Sequence, residues 1–196
     1  KVTMAAWVYP TAVPTGDRGA IIIGKPAGGY YFTLDASFRL SAYWHGKTPA
    51  GYHNSVGACP LNEWTHVAMV WGSTELKLYI NGILDSTIAA TGVGTAPTAL
   101  DIGSENGSNR HFKGRIHSLG VWAQEKSIQD IKAIMLNGLS GNESGLRAFW
   151  KMNEGEGPIL RDASAFHQDI THEPNKTFSW STGNSVFTLR PQEGYF

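Results

Sequence analysis

The segment "FRLSAYWHGKTPAGYHN", residues 38–54, gathers aromatic and planar polar side chains at strand spacing. Alternation places Phe38, Leu40, Ala42 and Trp44 on one side and Arg39, Ser41, Tyr43 and His45 on the other. The first set reads as core and the second as outward. In the preceding "YYFTLD" the same rule makes Phe32 and Leu34 core and turns Tyr31 and Thr33 outward. Tyr31, Arg39, Tyr43 and His45 would then share a surface with Tyr52, His53 and Asn54 of the following loop. That chemistry suits a pyranose, whose apolar ring face lies on an aromatic while planar polar groups meet its hydroxyls. "ENGSNRHF" adds Asn106, Asn109, Arg110 and His111 as loop contacts. An ordinary amphipathic sheet face would look the same, and residue types alone leave both readings open.

Two loops are rich in oxygen. Calcium takes six to eight oxygen ligands from carboxylates and loop carbonyls. "RDASAFHQD" offers Asp162 and Asp169 around a turn, although Asp162 could equally cap the turn itself. "DIGSENGSNR" offers Asp101, Glu105, Asn106 and Asn109. No serine elbow, Walker loop, C-x-x-C or H-E-x-x-H occurs.

These candidates need a scaffold, and composition narrows it. The chain has 196 residues, enough for one domain with a sizeable core. Lys+Arg and Asp+Glu are both 16, so the net charge is zero and the basic footprint of a nucleic-acid binder is missing. Gly 23 and Trp 7 are high, as suits a turn-rich β protein. The one cysteine, Cys59, excludes an intrachain disulfide and reads as a small buried hydrophobe. No run approaches the roughly 20 apolar residues of a membrane-spanning helix. The start at Lys1, directly before a strand, reads as a mature or excised fragment of something longer.

Short strands dominate. "VTMAAWVYP" is stopped by Pro10, "AIIIGK" is apolar, and "YYFTLDASFRLSAYWH" turns at Asp35-Ala36-Ser37. "WTHVAMVWGSTELKLYINGILDSTIAA" holds three strands joined at Gly72-Ser73 and Asn81-Gly82, the latter a strong hairpin signal. "ALDIGS" and "FKGRIHSLGVWA" follow. The periodicity predicts one helix over residues 127–136, with Ser127 as N-cap and Asp130 in the first turn. Ile128, Ile131, Ile134 and Met135 share its face, and Gly138 stops it. "LRAFWKM" places Leu146, Ala148 and Trp150 on one side, and "SVFTLRP" reads as a last strand. Lone strands must pair, so residues 145–196 are expected to supply strands that complete the sandwich, giving one domain over 1–196. Trp7, Trp64, Trp71, Trp122 and Trp150 are expected to be structural. Asn106, Asn142 and Asn175 begin glycosylation triplets, which matter only in a eukaryotic secretory protein.

Trp7-Val8-Tyr9-Pro10, "WTHVA" from Trp64, "LKLYING" from Leu76 and "FKGRI" from Phe112 together resemble the laminin-G-like, concanavalin A-like jelly-roll domains (pentraxin-related branch). The resemblance covers roughly residues 1–136. "AFWKMNEGEG" with "RDASAFHQD" is similar to a segment that in the family commonly precedes the Trp-Val strand, so the order here resembles a circular shift or a repeat cut in another phase. The resemblance implies a structural Ca²⁺ in such a segment in some members. Ala165 and Phe166 replace the pattern's Gly and Asn, and His117 stands where many members have Asp.

The same architecture includes glycoside hydrolases, which need paired carboxylates. No E-x-D-x-x-E strand occurs here, and Glu154 and Glu156 lie in the glycine turn "NEGEG". The resulting expectation is an all-β, two-sheet antiparallel jelly-roll sandwich with one short helix. Its expected role is a non-catalytic, extracellular or cell-surface recognition module for glycan or polysaccharide, excised from a larger protein. A protein–protein adhesion domain is the alternative, and a hydrolase or lyase is the least favoured. Calcium is the only candidate cofactor; no nucleic-acid partner and no membrane span are expected.

Overall fold

Asn81 and Gly82 have φ of 50° and 73°, the left-handed pair that a tight two-residue hairpin requires. The computed structural model describes residues 1–15, 18–25, 28–94, 100–105, 110–171 and 180. The first strands are β1 (Val2–Pro10), β2 (Ala20–Gly24), β3 (Tyr30–Leu34), β4 (Arg39–Trp44), β5 (Lys47–Thr48) and β6 (His53–Ala58). Then come β7 (Thr65–Trp71), β8 (Glu75–Ile80), β9 (Ile83–Ala89), β10 (Thr91–Gly92), β11 (Asp101–Ile102) and β12 (Gly114–Trp122). Helix α1 (Ile128–Asn137) is followed by β13 (Leu146–Trp150), β14 (Ile159–Leu160) and β15 (Ile170–Thr171).

The strands build two antiparallel sheets that face each other. One has the order β13-β12-β1-β7-β8-β9, the other β11-β2-β3-β4-β6. Between them the alternating residues meet: Val2, Met4, Ala6 and Val8 of β1, Val67, Met69 and Trp71 of β7, Phe32 and Leu34 of β3, and Leu40, Ala42 and Trp44 of β4. Trp44 meets Trp71 edge to face at 5.8 Å across this interior. Each such large apolar side chain contributes about 1.5–3 kcal/mol on burial. Cys59 joins this core, where burial pushes its thiol up to about 12. At the sheet margins, Asp85 of β9 accepts the Val56 and Gly57 N–H groups of β6 at 2.6 and 2.8 Å and so ties the sheets together.

A second cluster lies on the other face of the six-stranded sheet. Ala5, Ala68, Val70, Tyr79, Trp122, Leu146 and Phe149 pack there with Ile131 of α1, flanked by Ile128 and Ile134. The helix opens with a reciprocal capping box: Ser127 Oγ accepts from the Asp130 N–H, and the Asp130 carboxylate accepts from the Ser127 N–H.

Two core assignments change. Phe38 is half-buried in the β3–β4 turn with φ of 59°, because Asp35 Oδ1 accepts from both Ser37 N and Arg39 N and curls the chain there. Leu146 does not share a side with Ala148 and Trp150. The pairing of β12 with β13 slips between Val121 and Trp122, so Leu146 joins Phe149 under the helix while Ala148 and Trp150 face the sandwich interior. The strand expected over "SVFTLRP" lies outside the described residues, as do Asn106, Asn109 and Asn175.

Candidate functional site

The outer face of the five-stranded sheet brings three tyrosines together. Tyr31 of β3 lies directly across from Tyr43 of β4, and Tyr52 enters just before β6. The Tyr43 and Tyr52 rings stack at 5.1 Å and 25°, with Tyr31 at 6.1 and 6.5 Å from them. Gly24 makes room for this: a Cβ there would stand 2.8 Å from Tyr31 Cδ1, so the missing side chain lets the ring lie down on β2.

Arg110 holds the trio from the side. Its guanidinium sits 4.9 Å from the Tyr31 centroid and 5.6 Å from that of Tyr52, within cation–π range. It donates to the carbonyls of Gly19 and Arg18 and is ion-paired to Glu105 at 3.7 Å. Glu105 also accepts from the Tyr31 hydroxyl at 2.9 Å. Burial and then this bond push the Tyr31 hydroxyl up to about 12, so it remains a donor at physiological pH. With its side chain only 8% exposed, Arg110 positions rings rather than presenting an open contact.

The expected surface is therefore smaller than its residue set. Tyr31 is 8% exposed, Ser41 3% and Thr33 0%, so these outward residues are covered. Tyr43 and Tyr52 are half-buried and His45 is exposed at the end of β4, which makes this end the accessible one. Arg39 belongs elsewhere: it pairs with Asp35 at 2.8 Å at the other end of β4, where Asn54 bridges Asp35 and Ser41. His53 is a correction. It pairs in register with inward-facing Ala42 after a slip between β4 and β6, and its ring meets Trp71 at 6.1 Å. His111 is exposed beside Arg110.

The acidic turn is tightly wired. Asp162 Oδ1 accepts from Phe149 N and Ser164 N, and Oδ2 from Gln168 N and Ser164 Oγ, at 2.8–2.9 Å. Asp169 Oδ1 in turn accepts the Asp162 N–H at 2.8 Å. A cation approaching Asp162 would meet these hydrogens rather than open lone pairs. Glu105 of the other loop is committed to Tyr31 and Arg110. Among the described residues no group of three or more His, Cys, Asp or Glu side chains could hold a metal ion. Glu154 Oε1 accepts from Arg161 N at 2.9 Å, within the glycine turn.

Sequence reasoning missed a second aromatic strip, on the part of the six-stranded sheet's outer face that lies outside the α1 cluster. Trp7 meets His66 at 5.3 Å, Tyr9 meets Trp64 at 5.5 Å, and Arg115 lies over Tyr9 at 5.2 Å. Trp71, Trp122 and Trp150 are core as expected, whereas Trp7 and Trp64 are half-buried here. The signal was available in β1, where the outward positions of the alternation include Trp7 and Tyr9. His66 lies beneath, 1% exposed, and burial lowers its pKa to about 3. Its folded value lies below the unfolded one, so the unfolded chain binds the extra proton and stability falls as pH drops below about 6.5. Wild type is expected to lose about 2 kcal/mol more than His66→Phe between pH 7 and 5. Urea melts at both pH values check this, and equal losses would contradict it.

Comparison with known proteins now bears on the fold. Residues 1–132 match the family model described as the concanavalin A-like lectin/glucanases superfamily. The chain belongs to that superfamily. No curated protein sequence matches it. Among solved structures, a candidate carbohydrate-binding protein of Bacteroides ovatus aligns with a TM-score of 0.69 at 17% identity, over 88% of this chain and 54% of that one. The superfamily domain described here thus spans about half the length of that protein. The CBM40 of a Ruminococcus gnavus sialidase, bound to α2,3-sialyllactose, aligns at 0.56 and 15% identity, over 68% and 82%. A heptameric SAP-like pentraxin of Limulus polyphemus aligns at 0.50 and 14%, over 85% and 84%. At these identities the likeness is one of fold. Among the described residues no helix is long and apolar enough to cross a membrane.

Proposed function

We propose that this superfamily domain is a non-catalytic carbohydrate-recognition module of an extracellular or cell-surface protein. The observation that carries the reading is the stacked Tyr43–Tyr52 pair, held in place by Arg110 and Glu105 at the accessible end of the five-stranded sheet. A half-buried ion pair beside the aromatic rings fixes them before a ligand arrives, and preorganisation of this kind reduces the ordering cost of binding. Tyr43 supplies the ring face for a sugar, while the tyrosine hydroxyls and His45 supply polar edges. The fold neighbours support the same direction, one being a candidate carbohydrate-binding protein and another holding sialyllactose. A further fold neighbour, a domain of an extracellular arabinanase of Geobacillus stearothermophilus, supports an extracellular setting.

Glycan-array binding with and without EDTA tests the proposal. Tyr43→Ala and Tyr52→Ala are each expected to weaken the selected glycan by at least tenfold, ~1.4 kcal/mol, with melting temperatures near wild type. Unchanged binding in both variants would sink this site. No glycan bound at any calcium level would favour the adhesion alternative, and polysaccharide hydrolysis by the purified protein would overturn both.

A further inference from the structure

Leu119 and Val121 of β12 belong to the sandwich interior, and Ile116 packs against it. Strict alternation from Leu119 would instead turn Ile116 outward and bury Arg115 and His117. A bulge reverses the faces. The pairing of β1 with β12 slips between Ala5 and Trp7, leaving Ser118 and Leu119 opposite Ala6, and Ser118 takes φ of 51°. Bulges re-aim side chains, and a residue other than glycine at positive φ is strain that its surroundings must hold in place. Here the bulge sends His117 and Arg115 to the outer face, in register with Trp7 and Tyr9 of the aromatic strip. Lys113 follows on the same side, its carbonyl accepting the Thr11 N–H at 2.9 Å. Lys151 continues the row from just past β13, its carbonyl accepting the Ser118 N–H at 3.2 Å, and with Trp150 inward alternation turns it outward.

Lys113, Arg115 and Lys151 are all exposed, and none makes an ion pair among the described residues. The acid nearest the strip in sequence, Glu63 beside Trp64, belongs to the β7 side, across β1 from the row. The row extends over roughly 15 Å at strand rise, which matches spaced anions on a chain better than one small anion. A second copy docked through the same face would set like charges against each other. Nucleic acids bound without sequence preference need successive open ring faces, but Arg115 lies over Tyr9 at 5.2 Å and Trp64 meets His117 edge-on. By charge complementarity we infer that this face binds a polyanionic glycan, a pyranose chain bearing carboxylate or sulfate groups. Lys113, Arg115 and Lys151 take the anions, and Trp7 and Trp64 floor the apolar part of the chain. The row lies on the six-stranded sheet and the Tyr43–Tyr52 pair on the five-stranded one, so the two sites are separate.

Five polymers, titrated by calorimetry at low salt, test it: polygalacturonate, dextran sulfate, dextran, poly-L-glutamate and polyuridylate. Polygalacturonate or dextran sulfate is expected to bind at least tenfold more tightly than the other three, with affinity falling as sodium chloride rises. The carboxylate and sulfate arms show which anion the row takes. The double variant Lys113→Gln, Arg115→Gln changes only exposed side chains and should lose at least tenfold in that affinity, while Tyr43→Ala should keep it. Dextran bound as tightly as both anionic glycans would overturn the inference, as would no binding of either. Poly-L-glutamate or polyuridylate bound as tightly would refute the glycan assignment. Full affinity in the double variant, or its loss in Tyr43→Ala alone, would refute the row.

Discussion

A chain ending at Ser144 is expected to be insoluble or to lack a cooperative melting transition. We propose that residues 145 onward belong to the same domain as residues 1–144, and β13 is the reason. It covers the margin of β12, pairing Leu119, Gly120, Val121 and Trp122. Without it, β12 becomes an apolar edge strand with open backbone groups, a recognised route to aggregation. Both clusters lose members as well: Ala148, Trp150 and Leu160 from the interior, Leu146 and Phe149 from beneath α1. The four large side chains among them account for roughly 6–12 kcal/mol of burial, comparable to the whole net stability of about 5–15 kcal/mol for a domain. Size-exclusion chromatography and a thermal melt of residues 1–144 check this. A soluble monomer with a cooperative transition would show that the C-terminal quarter is dispensable.

Asp162→Ala is expected to destabilise by roughly 3–5 kcal/mol, because four donors lose one acceptor at once and each buried unsatisfied donor costs about 1–3 kcal/mol before relaxation. Those donors sit on β13 and in the turn between β14 and β15, so the change loosens the strand whose loss is argued above. The charge matters too. Burial alone would raise the Asp162 pKa, but the Phe149, Ser164 and Gln168 N–H groups together outweigh it and hold the carboxyl below its ordinary value. A carboxyl depressed in the folded state stabilises above the unfolded pKa of about 3.9 and loses that contribution as pH falls through the folded value. The gap between wild type and Asp162→Ala should therefore be full at pH 7 and shrink below pH 4. Urea melts across that range decide it, and a variant within 1 kcal/mol of wild type at pH 7 would contradict the account. The same melts with EDTA separate a carboxylate held by protein donors, which predicts no change, from one that also holds calcium, which predicts a loss.

Much of this was legible in the residues. The Asn81-Gly82 hairpin, the capped helix and the inward set of β3 and β4 follow from local chemistry and period, and the structure places them accordingly. The candidate site was legible only in part. Alternation tells which way Thr33 and Ser41 point, but not whether anything covers that side, and both are buried. His53 and Leu146 were misplaced for one reason: each lies just past an irregular pairing, where a one-residue slip reverses the faces. Glu105 was noticed for its oxygens, yet they are taken by Tyr31, from a distant strand, and by Arg110 at the end of its own loop. Residue type can nominate a charged group without saying whether a ligand or a neighbour will use it.

Nuclear magnetic resonance of the labelled domain, titrated with the glycan that an array selects, tests the proposed recognition surface most directly. The account predicts that the largest shifts fall on Tyr43, Tyr52 and His45, with smaller ones at Arg110 beside them. Saturable shifts confined to the Trp7, Tyr9 and Trp64 strip, with Tyr43 and Tyr52 unmoved, would contradict it.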